Sequence, residues 1–576
     1  MTVVDSTHWR RAAGATGLLR EFNDAGVLDA SDVLVAQRVT ALGGEPDERV
    51  GLAVALTVRA LRGGSVCLEL AGVAEQVDVP DLPWPDADGW VDAVRASPLV
   101  DTAPHVLRMR GDAIYLDRYW REEQQVADDL LAMVSSDPMT AAATDVDRLF
   151  PPDYAEQRNA AELALRQRLT VITGGPGTGK TTTVARLLAL LAGHAHASGA
   201  PPLRIALAAP TGKAAARLQE AVQAEIDQLD LVDQRRIAGL QATTMHRLLG
   251  SRPDNSSRFR HHRGNRLPHD VVVVDETSMV SLTMTARLLE AVRPEARLLL
   301  VGDPDQLASV DAGAVLADLV DGLGERGDVR IAELKTPHRF GAAIGALAAA
   351  IRDGDSDAAI EVLQAGGDHV EWIDADDPTP ALRAVLLPPA MDLRRAAILR
   401  DGKAALATLD AHRLLCAHRR GPHGVAHWNR QVERWLTDAT GEPIWTAWYA
   451  GRPILVTAND YGLQLYNGDV GVTLVDDAGL RAVVAGSGAT VSLATSRLAD
   501  VETMHAMTIH KSQGSQAREV TVLMPPVDSR LLTRELFYTA VTRAKEKVRV
   551  VGSADEVREA ISRRAVRATG LASRLR

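Results

Sequence analysis

The chain has 576 residues, 46% hydrophobic and 24% charged, a balance that excludes fibrous and disordered classes and suits about three or four globular domains. No run approaches eighteen apolar residues, the first residues lack a signal peptide's order, and two cysteines, Cys67 and Cys416, give neither disulfide framework nor zinc spacing. A cytoplasmic enzyme fits, and the formal charge of −11 excludes coating nucleic acid by net charge alone while leaving room for a local basic groove.

Residues 1 to about 120 carry no catalytic pattern. Segments 34–42 and 50–61 have helical spacing, 64–70 suits a strand, and 106–116 predicts two short strands around Gly111-Asp112. We read 1–118 as an α+β domain for docking, followed by a helical linker over 119–149. Motor domain 1 is expected over 150–335. It contains Gln157, whose amide offers one donor and one acceptor to an adenine edge, which favours ATP.

The organising stretch is 169–183, an apolar run ending in Gly174-Gly175-Pro176-Gly177-Thr178-Gly179-Lys180-Thr181-Thr182 before a helical sequence. The pattern G-x-x-x-x-G-K-T between a strand and a helix is a phosphate-binding loop. Its glycines let backbone N–H groups converge on a triphosphate, and the helix N-terminus adds positive field. Lys180 is assigned to the β- and γ-phosphates and Thr181 to Mg²⁺. Only seven of the 64 basic residues are lysines, so each retained lysine suggests a need for a compact point charge.

Farther on, Thr211 and Lys213 open a helix after an apolar strand, and Thr244 and His246 follow in a similar polar-then-apolar segment; both suit DNA phosphates. Residues 251–269 are basic and predict a mobile loop. Four valines, 271–274, predict a central buried strand that delivers Asp275 to Mg²⁺ and Glu276 to the attacking water as general base. Gln306, after another apolar strand, is placed to sense the γ-phosphate, and Arg339 is a candidate contact to it.

Motor domain 2 is expected over 336–430 and 500–576, interrupted by a small β domain over 431–499. Residues 374–389, acidic and proline-rich, predict a surface loop. Trp445, Trp448, Tyr449, Tyr461 and Tyr466 cluster in a chain only 4% aromatic and are open to two uses, stacking on bases or packing a small core. Thr508, His510 and Lys511 suit phosphate-backbone contacts, and Arg543 ends a helical segment from which it would enter the ATP site across a cleft.

Taken in order, Gln157, GGPGTGKT, APTGKAAA, TTMHRLL, DETSM, GDPDQL, HRF, IHKSQGS and YTAVTRA resemble the motifs of superfamily 1 helicases over roughly 150–552. RGPHGVAHWN, NDYGLQLYNGD and the N-terminal GSVCL and IYLDRYW are similar to RecD subunits of RecBCD helicase–nucleases (exodeoxyribonuclease V). The hairpin modules of the family's longer stand-alone helicases are absent from the N-terminus. The resemblance implies an α/β fold of two RecA-like motor domains with an inserted SH3-like β-barrel and an N-terminal docking domain. It further implies 5′→3′ translocation on single-stranded DNA, docking on RecC, a RecB-like partner that does the cutting, and action at double-stranded DNA ends in break repair and recombination. The alternatives are a stand-alone RecD-like helicase and an ATP-binding scaffold without motor activity.

Overall fold

The computed structural model describes residues 10–77, 79, 81–135, 146–252, 255–326, 331–336, 342–375, 377–460, 462–477, 479–486 and 490–576. The N-terminal unit is built on helix Glu48–Arg62, capped by Asp47, whose carboxylate accepts from the Arg49 N–H. Its buried face, including Val50, Leu52 and Leu56, packs with Phe22, Trp90 and Ile114. Strands Leu107–Arg110 and Ala113–Leu116 form the hairpin around Gly111, with Leu68–Glu69 on its far side.

A six-stranded parallel sheet follows, in the order Ala332–Leu334, Leu169–Gly174, Arg297–Gly302, Val271–Val274, Ile205–Ala209, Ala242–Thr244. Strand Val271–Val274 is buried along its whole length, as a valine run covered on both sheet faces must be. The register aligns the carboxyl ends: Leu300 lies beside Val274, Gly302 beside Thr173, and Ala209 beside Thr244. The residues that follow these strands therefore emerge on one edge, where ligands bind in open α/β sheets.

Helix Asp117–Val134, expected as part of a linker, instead packs on this unit: Glu122, Glu123, Val126, Ala127 and Leu130 are buried, and Thr283 donates to Glu122 at 2.6 Å. The expected mobile loop at 251–269 is also ordered locally. Strands Ser251–Arg252 and Asn255–Phe259 pair, Phe259 is buried, and Arg260 and His261 donate backbone bonds to Gly250 and Leu249.

A second parallel sheet has the order Val370–Ile373, Ala544–Val551, Ala517–Leu523, His412–Cys416, Ala506–Thr508. The surface loop expected at 374–389 is largely the start of helix Thr379–Ile398, which runs through Pro388 and Pro389. Leu382, Leu386, Ala390 and Leu393 recur at three- and four-residue spacing and are buried, so packing outweighs the hydrogen bonds that proline removes. The antiparallel sheet of the insert begins at Pro453–Val456 and ends with Val501–Thr503, with Thr490–Ala494 at the other edge. Among the described residues no pairing joins the two edges. Helix Val425–Thr440 lies before this sheet and shares a core with Leu414, Cys416 and Leu523 of the second parallel sheet through Trp428, Val432 and Trp435.

The last residues, expected with the second motor domain, leave it. Ala565 N donates to Glu535 at 2.8 Å, but Val66 N donates to Ala568 O at 2.8 Å and Thr569 donates to Asp318 at 2.6 Å. Arg574 pairs with the fully buried Glu123 at 2.7 Å and lies 4.1 Å over the Trp120 ring. The tail thus closes on the N-terminal and first parallel units, and a buried carboxylate with a matched arginine explains the detour.

Two half-buried histidines add acid sensitivity to the second unit. His412, bonded to Thr521 at 2.9 Å, is held down to about 4 by burial, then by Arg549. His505, bonded to Tyr449 at 2.9 Å, is held to about 3 by burial, then by Arg452. Both stay neutral in the fold while the unfolded chain protonates near pH 6.5, so their contribution is full above that pH and declines toward pH 4. The slope is about 1.4 kcal/mol per pH unit for each histidine. Thermal unfolding at pH 7.5 and pH 5 is expected to show this loss, and His412→Asn is expected to shrink it; an equal loss in the variant would contradict the assignment.

Candidate ATP site and DNA-facing cleft

The phosphate loop joins strand Leu169–Gly174 to helix Lys180–Ala197. A Cβ on Gly174 would lie 2.5 Å from the Leu334 carbonyl oxygen, and Gly179 caps the helix at φ +85°, so both positions need glycine. Lys180 Nζ donates to Gly174 O at 2.5 Å and Gly175 O at 2.9 Å. The ammonium is thereby folded over the loop's own carbonyls, where phosphate oxygens would compete for it. Thr178 is buried and donates to Gly175 O at 2.9 Å. Pro176 and Gly177 form the crest between them, and Gly177 has φ +82°.

Two expected nucleotide contacts also bond within the protein. Gln157 is buried beside the loop, and its amide donates to Thr178 O at 3.4 Å. Thr182 donates to Glu225 at 2.9 Å, across to helix Gly212–Ile226. Thr181, on the helix's first turn, is partly exposed, as a metal-facing hydroxyl requires.

Asp275 and Glu276 follow the valine strand. Burial, then the neighbouring Glu276 charge, pushes the Asp275 carboxyl up to about 6, a strain that a cation would relieve. Its Oδ1 accepts from Glu276 N at 2.9 Å. Glu276 is left-handed at φ +51°, a conformation costly to a non-glycine residue and often found where a side chain must be aimed. The donor set of one hydroxyl and one half-buried carboxylate beside a phosphate cradle fits Mg²⁺ bound together with a nucleotide.

The second unit closes over this edge. Arg543, buried, donates to Gln306 Oε1 at 2.8 Å. Leu307 N donates to Thr539 at 2.8 Å, Gln513 donates to Leu307 O at 2.8 Å, and Arg217 donates to Gly514 O at 3.1 Å and Gln516 at 2.9 Å. Tyr538 donates to Asp303 at 3.2 Å. Lys180 and Glu276 act electrostatically on Asp275, and Glu276 on Arg543, so these four and Gln306 lie around one cleft. Arg339 lies outside the described residues. Sequence reasoning missed Asp303, Tyr538, Arg217, Gln513 and Thr539, although Asp303 sits in the same GDPDQL stretch as Gln306 and Tyr538 precedes Arg543 by five residues.

The DNA candidates share a device. Thr211, Thr244 and Thr508 each cap a helix by accepting a backbone N–H three residues on, at 3.2 Å in every case, which leaves each hydroxyl proton to donate elsewhere. Thr211 faces the second unit: a Cβ on Gly514 would lie 3.4 Å from its hydroxyl oxygen. Lys213 is lowered to about 8 by burial, then by Arg413. Lys511 is paired with Glu502 at 2.6 Å, so a phosphate would have to displace that carboxylate. Burial lowers both His246, whose ring lies 5.8 Å from Phe259, and His510. Of the aromatic cluster, Tyr449 is buried, Trp448 lies under Arg452 at 4.5 Å and Trp445 is 84% exposed. Tyr466 packs on Gly212, and Tyr461 lies outside the described residues.

Residues 157–312 match the AAA domain, 503–551 the UvrD-like helicase C-terminal domain, and 24–115 the N-terminal domain of RecBCD enzyme subunit RecD. The RecBCD enzyme subunit RecD of Mycolicibacterium smegmatis is 70% identical over 96% of this chain and 98% of its own length. The chain belongs to the RecD family. That of Mycobacterium tuberculosis H37Rv is 64% identical over 98% of each chain. Among solved structures, a Bacteroides Pif1 helicase in complex with ADP-AlF3 and single-stranded DNA is 16% identical, covers 69% of this chain and 91% of its own, and has a TM-score of 0.38. Among the described residues of this RecD-family chain, no helix is long and apolar enough to cross a membrane, and no group of three or more His, Cys, Asp or Glu is placed to hold a metal ion.

Proposed function

We propose that the chain is an ATP-driven, 5′→3′ DNA translocase and helicase, the motor subunit of a cytoplasmic complex with RecB-like and RecC-like subunits. The complex acts on double-stranded DNA ends in break repair and recombination. The observation that carries this reading is Arg543, held by Gln306 across a cleft whose opposite wall is the Lys180 phosphate loop. In a two-domain motor such an arginine meets the γ-phosphate only when the domains close.

Lys180 leaves the Gly174 and Gly175 carbonyls to hold β- and γ-phosphate oxygens, and Glu276 orients and deprotonates the attacking water. Thr181 and Asp275 would hold Mg²⁺, which when bound neutralises phosphate charge. Thr211 with Lys213, and Thr244 with His246, grip the DNA backbone from the first unit; Thr508, His510 and Lys511 grip it from the second. Closure and release at the cleft then alternate the two grips and move the strand. The antiparallel sheet between Pro453 and Thr503, which we read as the insert of SH3-like type although its edges do not pair among the described residues, lies beside this path through Tyr466 and Gly212.

The N-terminal unit is read as the docking domain. Leu34, Val35 and Leu42 stand 57%, 41% and 72% exposed on helix Ala30–Gly43, with Val35 and Leu42 one heptad apart on one face. Such an apolar stripe suits a protein partner rather than solvent. Co-purification with RecB- and RecC-type subunits tests this. Val35→Asp with Leu42→Asp is expected to lower recovery of the complex at least tenfold while leaving the chain folded; undiminished assembly would reject docking through this face.

A further inference from the structure

Asp303 follows strand Arg297–Gly302 and is 1% exposed. Its Oδ2 accepts from Gln306 Nε2 at 2.8 Å and from the Tyr538 hydroxyl at 3.2 Å, and its Oδ1 accepts from Asp305 N at 3.2 Å. Burial raises the Asp303 carboxyl above its ordinary value against the Lys180 charge and the donors that face it, but all three of these hydrogen bonds have it as acceptor, so Gln306 stands between an accepting carboxyl and the Arg543 guanidinium, which only donates. An amide between such neighbours has one satisfied orientation, nitrogen toward Asp303 and oxygen toward Arg543. Arg543 also donates to Thr539 O at 3.1 Å, Ser515 O at 3.4 Å and the Thr542 hydroxyl at 3.4 Å, so its direction is fixed from several sides.

Tyr538 adds the second half. It rides on helix Arg534–Val541 of the second unit, and its hydroxyl oxygen lies 3.0 Å from where a Cβ on Gly175 would stand. The same hydroxyl thus touches the phosphate loop and donates to Asp303. It can do both only while the two units are closed.

We propose that Asp303 and Tyr538 are positioning residues for ATP hydrolysis: Asp303 sets the Gln306 amide so that its oxygen faces Arg543, and Tyr538 ties that setting to closure over the phosphate loop. The relay rests on the reading of Gln306 and Arg543 as the groups that meet the γ-phosphate. Asp303→Asn replaces a carboxyl that accepts from Gln306 with an amide that can donate to it, which lets Gln306 turn its oxygen away from Arg543. Tyr538→Phe removes one hydroxyl and keeps the ring.

The test is a double-mutant cycle on the assembled complex, with the RecB-type motor silenced, reading DNA-stimulated ATP turnover together with the affinity of a fluorescent ADP analogue. Asp303→Asn is expected to lower kcat about tenfold and Tyr538→Phe about threefold, with KM and ADP affinity within about twofold of wild type. In a Gln306→Ala background, Asp303→Asn is expected to cost less than about a further twofold, because the amide it orients is gone. Equal losses from Asp303→Asn in both backgrounds, or a loss carried by KM, would reduce Asp303 to a packing role and overturn the relay. If Gln306→Ala lowers turnover but Asp303→Asn does not, the relay alone fails. Unchanged turnover in Gln306→Ala would remove the underlying reading of Gln306, and the relay with it.

Discussion

Lys180→Gln is expected to cut DNA-stimulated ATP turnover by about 10²–10³-fold or more, the cost of losing one preorganised charge aimed at a developing anion. The reason is local. Lys180 is the cation printed onto the loop's own carbonyls, at 2.5 and 2.9 Å from Gly174 O and Gly175 O, and glutamine keeps a donor of similar reach without the charge. The substitution also relieves nothing in the fold, since the ammonium's two partners are backbone oxygens at a partly exposed rim. Folding and assembly should therefore persist while hydrolysis stops. Turnover within about threefold of wild type would refute the phosphate-site assignment.

Arg543→Ala carries the second large effect. Loss of an arginine that neutralises transition-state charge costs roughly 10³–10⁵-fold in related phosphoryl-transfer sites, and about 10³-fold is expected here. Alanine also removes the donors that the guanidinium gives to the Gln306 oxygen and the Ser515 carbonyl. Arg543→Lys is expected to rescue little, because one ammonium on a flexible stem cannot reproduce a fork that satisfies acceptors on both units. Single-turnover hydrolysis with pre-bound ATP separates the chemistry from binding. The expected result is a slow chemical step with nucleotide affinity reduced less than about tenfold. A normal single-turnover rate would place Arg543 outside the reaction.

These two residues also show how far the sequence could be read. The phosphate loop was legible because its chemistry is contiguous: strand, glycines, Lys180 and Thr181 all fall within fifteen residues. The valine strand with Asp275 and Glu276 was legible for the same reason. Arg543 was placed by its position at the end of a helical segment, and the structure brings it to Gln306 over a separation of 237 residues. Tyr538 and Asp303 had no such local signature. A buried tyrosine in an apolar helix reads as core, and only the closed arrangement of the two units shows its hydroxyl on a carboxylate.

The misreadings have physical causes of the same kind. Prolines at 388 and 389 suggested a loop, yet four buried aliphatic positions at helical spacing kept helix Thr379–Ile398 intact. The final residues looked like an extension of the second unit; a buried Glu123 needing an arginine drew Arg574 back to the first. In each case a long-range partner decided what a local pattern left open.

The most direct test of the motor reading is strand-specific displacement. With the RecB-type motor silenced, the complex is given single-stranded DNA bearing streptavidin on a 3′-terminal or a 5′-terminal biotin, and displacement is followed with and without ATP. The expected result is ATP-dependent release from the 3′ end alone, lost when this chain carries Lys180→Gln. Release from the 5′ end, or 3′ release that survives Lys180→Gln, would contradict a 5′→3′ motor powered at this cleft.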